Sequence, residues 1–213
     1  MDTSGRVGSV EELREIYRPP AELALRKQID ALDRHCREFI AHSPFLVMAS
    51  ADGAGRCDAS PKGGPPGFVR VLDDHRLVIP DLSGNNRLDS ITNLVVNPGI
   101  ALLFFVPGRD ETLRVNGRAA VTADADLCER ARLDGVVPRL VLLVDVEEAY
   151  LHCAKAFRRA QLWQPEEWPD TAGLPSGACM MRDHIGLTQV PLEQTEALLE
   201  ESYRSTLWQT GGA

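Results

Sequence analysis

At 213 residues, with 23 basic against 31 acidic side chains and a formal charge of −8, the chain can bury a hydrophobic core without disulfide or metal staples. The acidic balance disfavours sequence-independent binding to nucleic acid, which needs clustered Lys and Arg. Five cysteines (Cys36, Cys57, Cys128, Cys153, Cys179) show no paired spacing and read as reduced thiols of a cytoplasmic protein. Met1–Tyr17 lacks the apolar centre of a signal peptide, and no apolar run approaches the roughly 20 residues of a membrane span, so no membrane partner is expected.

Ser9 followed three residues later by Glu12 has the form of a capping box and predicts a short helix that stops before Pro19-Pro20. From Pro20 to His42, Leu25, Ile29, Leu32, Cys36 and Phe39 recur at steps of four and three, which predicts one amphipathic helix ending at Ser43-Pro44. The period then changes. Phe45–Ala51 is a mostly apolar run, Asp52-Gly53-Ala54-Gly55 a turn, and Arg56–Ser60 an extended return. The Gly- and Pro-rich stretch Asp58–Gly67 predicts a stiff loop before a second hairpin, Gly67–Leu72 and Arg76–Pro80, turning at Asp73-Asp74. Arg87–Val96 has helical spacing and stops at Asn97-Pro98.

Ile100–Val106 predicts a buried strand, and Thr112–Thr122 a long one with a bulge at Gly117. A short helix over 125–132 and a last strand over Arg139–Tyr150 follow, then an irregular Pro- and Trp-bearing arm and a terminal helix from Pro191 to Trp208. About six strands with a single helix between the fourth and fifth favour a closed antiparallel barrel over a parallel sheet, which would need a helix after nearly every strand. The expected division is helices over 1–43, a barrel core over 44–151 and a helical arm over 152–213, all in one domain.

Two segments carry chemistry. In Leu77–Leu88 a strand runs into Asp81-Leu82-Ser83-Gly84-Asn85-Asn86-Arg87 and a helix begins. Free backbone N–H groups and the positive end of the dipole meet there and form an anion site. Asn85 and Asn86 add side-chain donors, and Arg87 offers a fork matched to phosphate oxygens. Read more plainly, Asn85 is an N-cap and Arg87 a solvated first-turn residue. In the second segment, Ser60, Pro61 and Lys62 open a loop whose unpaired backbone could face a planar ligand; the plain reading is a surface crossover. Neither a phosphate-binding Gly-Lys-Ser/Thr loop nor a dinucleotide fingerprint is present.

The order of these motifs, from Met48-Ala49-Ser50-Ala51-Asp52-Gly53 through Ser60-Pro61-Lys62-Gly63 and Asn85-Asn86-Arg87 to Asn97-Pro98, Leu102–Phe105 and Leu113-Arg114-Val115-Asn116-Gly117, resembles the pyridoxamine-phosphate-oxidase-like superfamily. More narrowly, Ser60–Gly63, Pro66-Gly67-Phe68 and Gly84–Asp89 are similar to a bacterial subgroup of FMN-dependent enzymes of unknown substrate. The resemblance implies a mainly-β fold with flanking helices, an antiparallel six-stranded split β-barrel of FMN-binding type, working as a homodimer with FMN at the subunit interface. It places Asn85, Asn86 and Arg87 on the FMN phosphate, Thr112 near the flavin ring, and Lys155 and Trp163 near the neighbouring subunit's flavin. The chain departs from the oxidase itself where Ala59-Ser60-Pro61-Lys62 replaces a basic strand, and the arginines that recognise the vitamin phosphate have no counterpart.

Thr112 is equally a strand-edge residue, and Lys155 and Arg159 equally the basic face of an amphipathic helix. Arg70 and Arg114 lie mid-strand as solvent-facing positions. His152-Cys153 has no second ligand at metal spacing, so no metal is expected. No catalytic acid or base stands out, which fits a flavin enzyme, where the cofactor carries the hard chemistry. The expected function is FMN-dependent oxidoreduction of a small molecule. The competing readings are a non-catalytic flavin-binding sensor, or the same fold holding a deazaflavin or haem.

Overall fold

The computed structural model describes residues 5–210. Helix α1 (Val10–Ile16) opens at Ser9, whose hydroxyl accepts from the Glu12 N–H at 3.1 Å. The Glu12 carboxylate reaches back one residue further than a capping box requires, to the Gly8 N–H at 2.7 Å. The helix expected over Pro20–His42 is two, α2 (Glu22–Arg26) and α3 (Arg34–His42). Asp33 caps α3 by accepting from the Cys36 N–H at 2.8 Å, a stronger start signal than the periodicity around it. Between them Ile29 forms an isolated antiparallel bridge with Ala149.

Seven strands follow: β1 (Phe45–Ala51), β2 (Cys57–Gly63), β3 (Arg70–Val71), β4 (Arg76–Pro80), β5 (Gly99–Phe105), β6 (Thr112–Thr122) and β7 (Val141–His152). Helices α4 (Asp89–Val96) and α5 (Ala125–Arg130) are inserted before β5 and β7. Beyond β7 come α6 (Lys155–Ala160), a 3-10 turn at Pro165–Glu167, α7 (Gly177–His184) and α8 (Leu192–Thr206). The mainly-β antiparallel split-barrel architecture is the expected one, with seven strands in place of six.

The strand order is β2-β1-β5-β6-β7-β4-β3, so the ladder has two ends and does not close as expected. Pro61 has no N–H to give and suits β2 to an edge. The Gly64–Val69 loop ties itself to the corner between α3 and β1, through Gly64 N–H to the Pro44 carbonyl (3.0 Å) and Gly67 N–H to the Ser43 carbonyl (3.2 Å). The segment read as loop from Asp58 is strand as far as Gly63, paired throughout with β1.

Alternation places Leu46, Met48, Leu102, Phe104, Leu113, Val115, Val144 and Ala149 inside, all under 3% exposed. The bulge predicted at Gly117 is present as a register shift between Asn116 and Gly117. A Cβ at Gly117 would overlap the carbonyl oxygen of Asp145, so the close approach of β7 there requires glycine. Arg114 is not solvent-facing: its guanidinium bonds Glu148 at 2.5 Å and stands over the Tyr150 ring. Arg70, on the short β3, donates to the Gly67 carbonyl at 2.8 Å. No helix among the described residues is long and apolar enough to cross a membrane.

Candidate functional site

The gap that the open ladder leaves is spanned by side chains. Lys62 on β2 and Asp81, one residue past β4, form an ion pair at 3.2 Å with both side chains largely enclosed. Ser60 on β2 and Ser90 on α4 share a hydrogen bond at 2.6 Å. Asn93, buried on α4, donates to Asp58 at 2.7 Å and to Ser50 at 3.2 Å, pinning the helix to β1 and β2. These contacts hold open a cavity of about 300 Å³ lined by Ser60, Pro61, Lys62, Asp81, Leu82 and the whole of 84–91.

The helix start differs from the expected one. α4 begins at Asp89, and Asn85, Asn86 and Arg87 lie in the loop ahead of it. Asn85 is not the N-cap; its carbonyl oxygen accepts from the Arg87 N–H at 3.1 Å, the local loop bond typical of Asn. Leu88 holds the N-cap position with no side chain to satisfy the first-turn N–H groups. Both Asn86 (φ 55°) and Leu88 (φ 57°) are left-handed. For a branched apolar residue that conformation costs about 1–2 kcal/mol, and such strain gathers at functional loops.

The electrostatics are balanced. Arg87 pairs with Asp89 at 2.9 Å and Lys62 with Asp81, so two cations face two carboxylates around the cavity. The side-chain bond from Asp89 raises the Arg87 pKa further. The two pairs differ in strength. Arg87 is 71% exposed, where an ion pair is worth about 0–1 kcal/mol, whereas Lys62 is 23% exposed and Asp81 12%. An incoming phosphate would displace Asp89 from Arg87 more readily than it would break the Lys62–Asp81 pair.

The remaining sequence-selected residues lie elsewhere. Thr112 opens β6, is 4% exposed, and pairs with His152. Lys155 begins α6, and Trp163 follows it, donating from Nε1 to the Arg109 carbonyl at 2.7 Å and stacking on Phe157 at 5.9 Å. Phe157 continues the contact through Phe105 to Phe45. In sheet order β6 is three strands from β2, about 14 Å at the usual spacing. The structure therefore brings Ser60, Pro61, Lys62, Asn85, Asn86 and Arg87 to one cavity and leaves Thr112, Lys155 and Trp163 outside it. The sequence reading missed Asp58, Asp81, Ser90 and Asn93. For Ser90 and Asn93 the signal was their place among Ile91 and Leu94 on the apolar side of a short helix; Asp58 and Asp81 carry no such signal.

The family model described as pyridoxamine 5'-phosphate oxidase matches residues 32–153, more than half of the chain. The chain belongs to the pyridoxamine 5'-phosphate oxidase family. In this family member the matched stretch runs from just before α3 to the end of β7 and contains the whole cavity. No curated protein gives a significant match. Among solved structures, HupZ of Group A Streptococcus is similar at 20% identity and TM-score 0.46, over 56% of this chain and 92% of that one. HutZ, described as a heme storage protein from Vibrio cholerae, is similar at 17% identity and TM-score 0.37, over 57% and 93%. The conserved hypothetical protein Rv2991 from Mycobacterium tuberculosis is similar at 10% identity and TM-score 0.45, over 66% and 92%.

Proposed function

We propose that this member of the pyridoxamine 5'-phosphate oxidase family is an FMN-dependent oxidoreductase that works as a homodimer in the cytoplasm, with the FMN phosphate seated in the split between β2 and β4. The single observation that carries this reading is the convergence of Ser60, Lys62 and 84–91 on one cavity, from the edge strand β2 and from the loop and helix that follow β4. The donor set suits a phosphate. The first turn of α4 has no side-chain cap, Arg87 is held only by an exposed pair, and Asn85 and Asn86 stand beside it.

A cavity of about 300 Å³ is at the lower limit for a small-molecule site, so it suits the phosphate end of a flavin and leaves the ring to lie beyond it. The outer edge of β2 has no partner strand among the described residues, so its backbone polar groups on that side can meet the ring's polar edge, Pro61 giving up one donor. Thr112, Lys155 and Trp163 do not line that cavity within one chain. A second copy would supply Lys155 and Trp163, as the family resemblance implies. FMN, when bound, supplies the hydride chemistry. The chain binds the phosphate, orients the ring along β2 and excludes water.

Native mass spectrometry and absorbance of the untreated protein test this reading. The expected result is a dimer carrying FMN, with the two-band yellow spectrum of a flavin. A sharp, intense haem band or the mass of a deazaflavin would overturn the cofactor assignment. Sustained oxidation of NADH or NADPH with an electron acceptor is expected of the enzyme. A flavin-loaded protein that gives a single reduction and stops would be a binder.

A further inference from the structure

The end of the described chain returns to the site. After α8, the Ser83 N–H donates to the Gln209 carbonyl at 2.9 Å, and Leu82 forms an antiparallel bridge with Thr210. This return sets Leu207 and Trp208 against a second cavity of about 630 Å³, whose other walls are Gly63, Gly64, Pro65 and Leu82. Leu82 lines the first cavity as well, so the two adjoin.

Their chemistry contrasts. The first holds two ion pairs, whereas the second has no ionisable side chain among its described lining residues, Ser83 being the one hydroxyl. An anionic group placed there would lose hydration without gaining a partner. A flat apolar molecule would instead cover the indole of Trp208, the Pro65 ring and Leu82.

We infer that this second cavity is the substrate subsite beside the flavin, that it takes an uncharged, flat aromatic molecule, and that it disfavours phosphorylated ones. The inference rests on the flavin reading for its role and on the lining for its selectivity. Trp208 is its specificity-determining wall.

The chain has three tryptophans, so its spectrum carries three indole N–H signals, and Trp208→Phe identifies the Trp208 signal. FMN-loaded protein labelled with 15N is titrated with 2-naphthalenemethanol, 2-naphthoate and pyridoxine 5'-phosphate. The neutral alcohol is expected to move the Trp208 signal and leave that of Trp168 in place, and both anions to bind about tenfold more weakly. Trp208→Ala is expected to weaken the alcohol about tenfold, while Trp208→Phe, which keeps an aromatic wall, stays within about threefold of the parent. Anions that bind as tightly as the alcohol, or an unmoved Trp208 signal in flavin-loaded protein, would overturn the subsite and leave the flavin reading intact. A Trp208 response in protein that takes up no flavin would sink the flavin reading and leave a neutral aromatic site.

Discussion

Arg87 combines high exposure, a weak ion pair and a place at the uncapped start of α4. Its loss removes a charge-assisted contact worth about 1.5–3 kcal/mol, so Arg87→Ala is expected to weaken FMN roughly ten- to a hundredfold by calorimetry, with little change in melting temperature. Lys62 differs because Asp81 depends on it: Lys62→Ala would leave a largely enclosed carboxylate without its partner and is expected to lower both affinity and stability. His152 sets an acid limit. Burial, then the Arg114 and Lys27 charges, holds its pKa below the ordinary 6.5, so the folded state favours the neutral ring. Its stability contribution is intact above about pH 6.5 and is lost as the pH falls through the depressed value. Melting temperatures between pH 7.5 and 5.5 are expected to drop across that window, and His152→Gln to flatten the drop.

Among the elements, β6 and α4 decide the geometry. Gly117 lets β7 approach so closely that a methyl group would meet the Asp145 carbonyl. Gly117→Ala is therefore expected to destabilise by about 3 kcal/mol or more by chemical denaturation, a cost of overlap and not of glycine's flexibility. The bulge was legible because glycine stands inside an otherwise strand-like run. The start of α4 was not. Asn85-Asn86 before an apolar period reads as a cap, yet the left-handed Asn86 and Leu88 delay the helix to Asp89. Leu88 has no preference for that conformation; contacts from Ser90 and Asn93 to β2 and β1 fix the helix's position from outside. The split of the expected Pro20–His42 helix has the same origin, with Ile29 drawn into a bridge to Ala149.

At the scale of the molecule, Lys155 and Trp163 do not line the cavity of their own chain, and the proposed shared site accounts for that. If each flavin contacts Arg87 of one subunit and Trp163 of the other, Arg87→Ala and Trp163→Ala proteins will each bind FMN weakly alone. Mixed and re-associated, they are expected to regain FMN binding, with one intact site per mixed dimer, as read by flavin absorbance. Mixing without recovery would place both residues' roles within a single chain.

The amino-acid sequence by itself determined the strands, through the short apolar runs Phe45–Ala51 and Ile100–Val106 bounded by turn residues, and the family, through motifs whose order survives without contacts. It also marked the residues of the loop ahead of α4, because Asn, Gly and Arg at a strand end are local signals. Only the tertiary structure decided that the ladder stays open, that Lys62 meets Asp81 across the gap, and that Thr210 comes back to Leu82. Those contacts join segments far apart in the chain. Local pattern fixes which way a side chain faces along its own strand, whereas which distant strand stands opposite is set by the packing of the whole core.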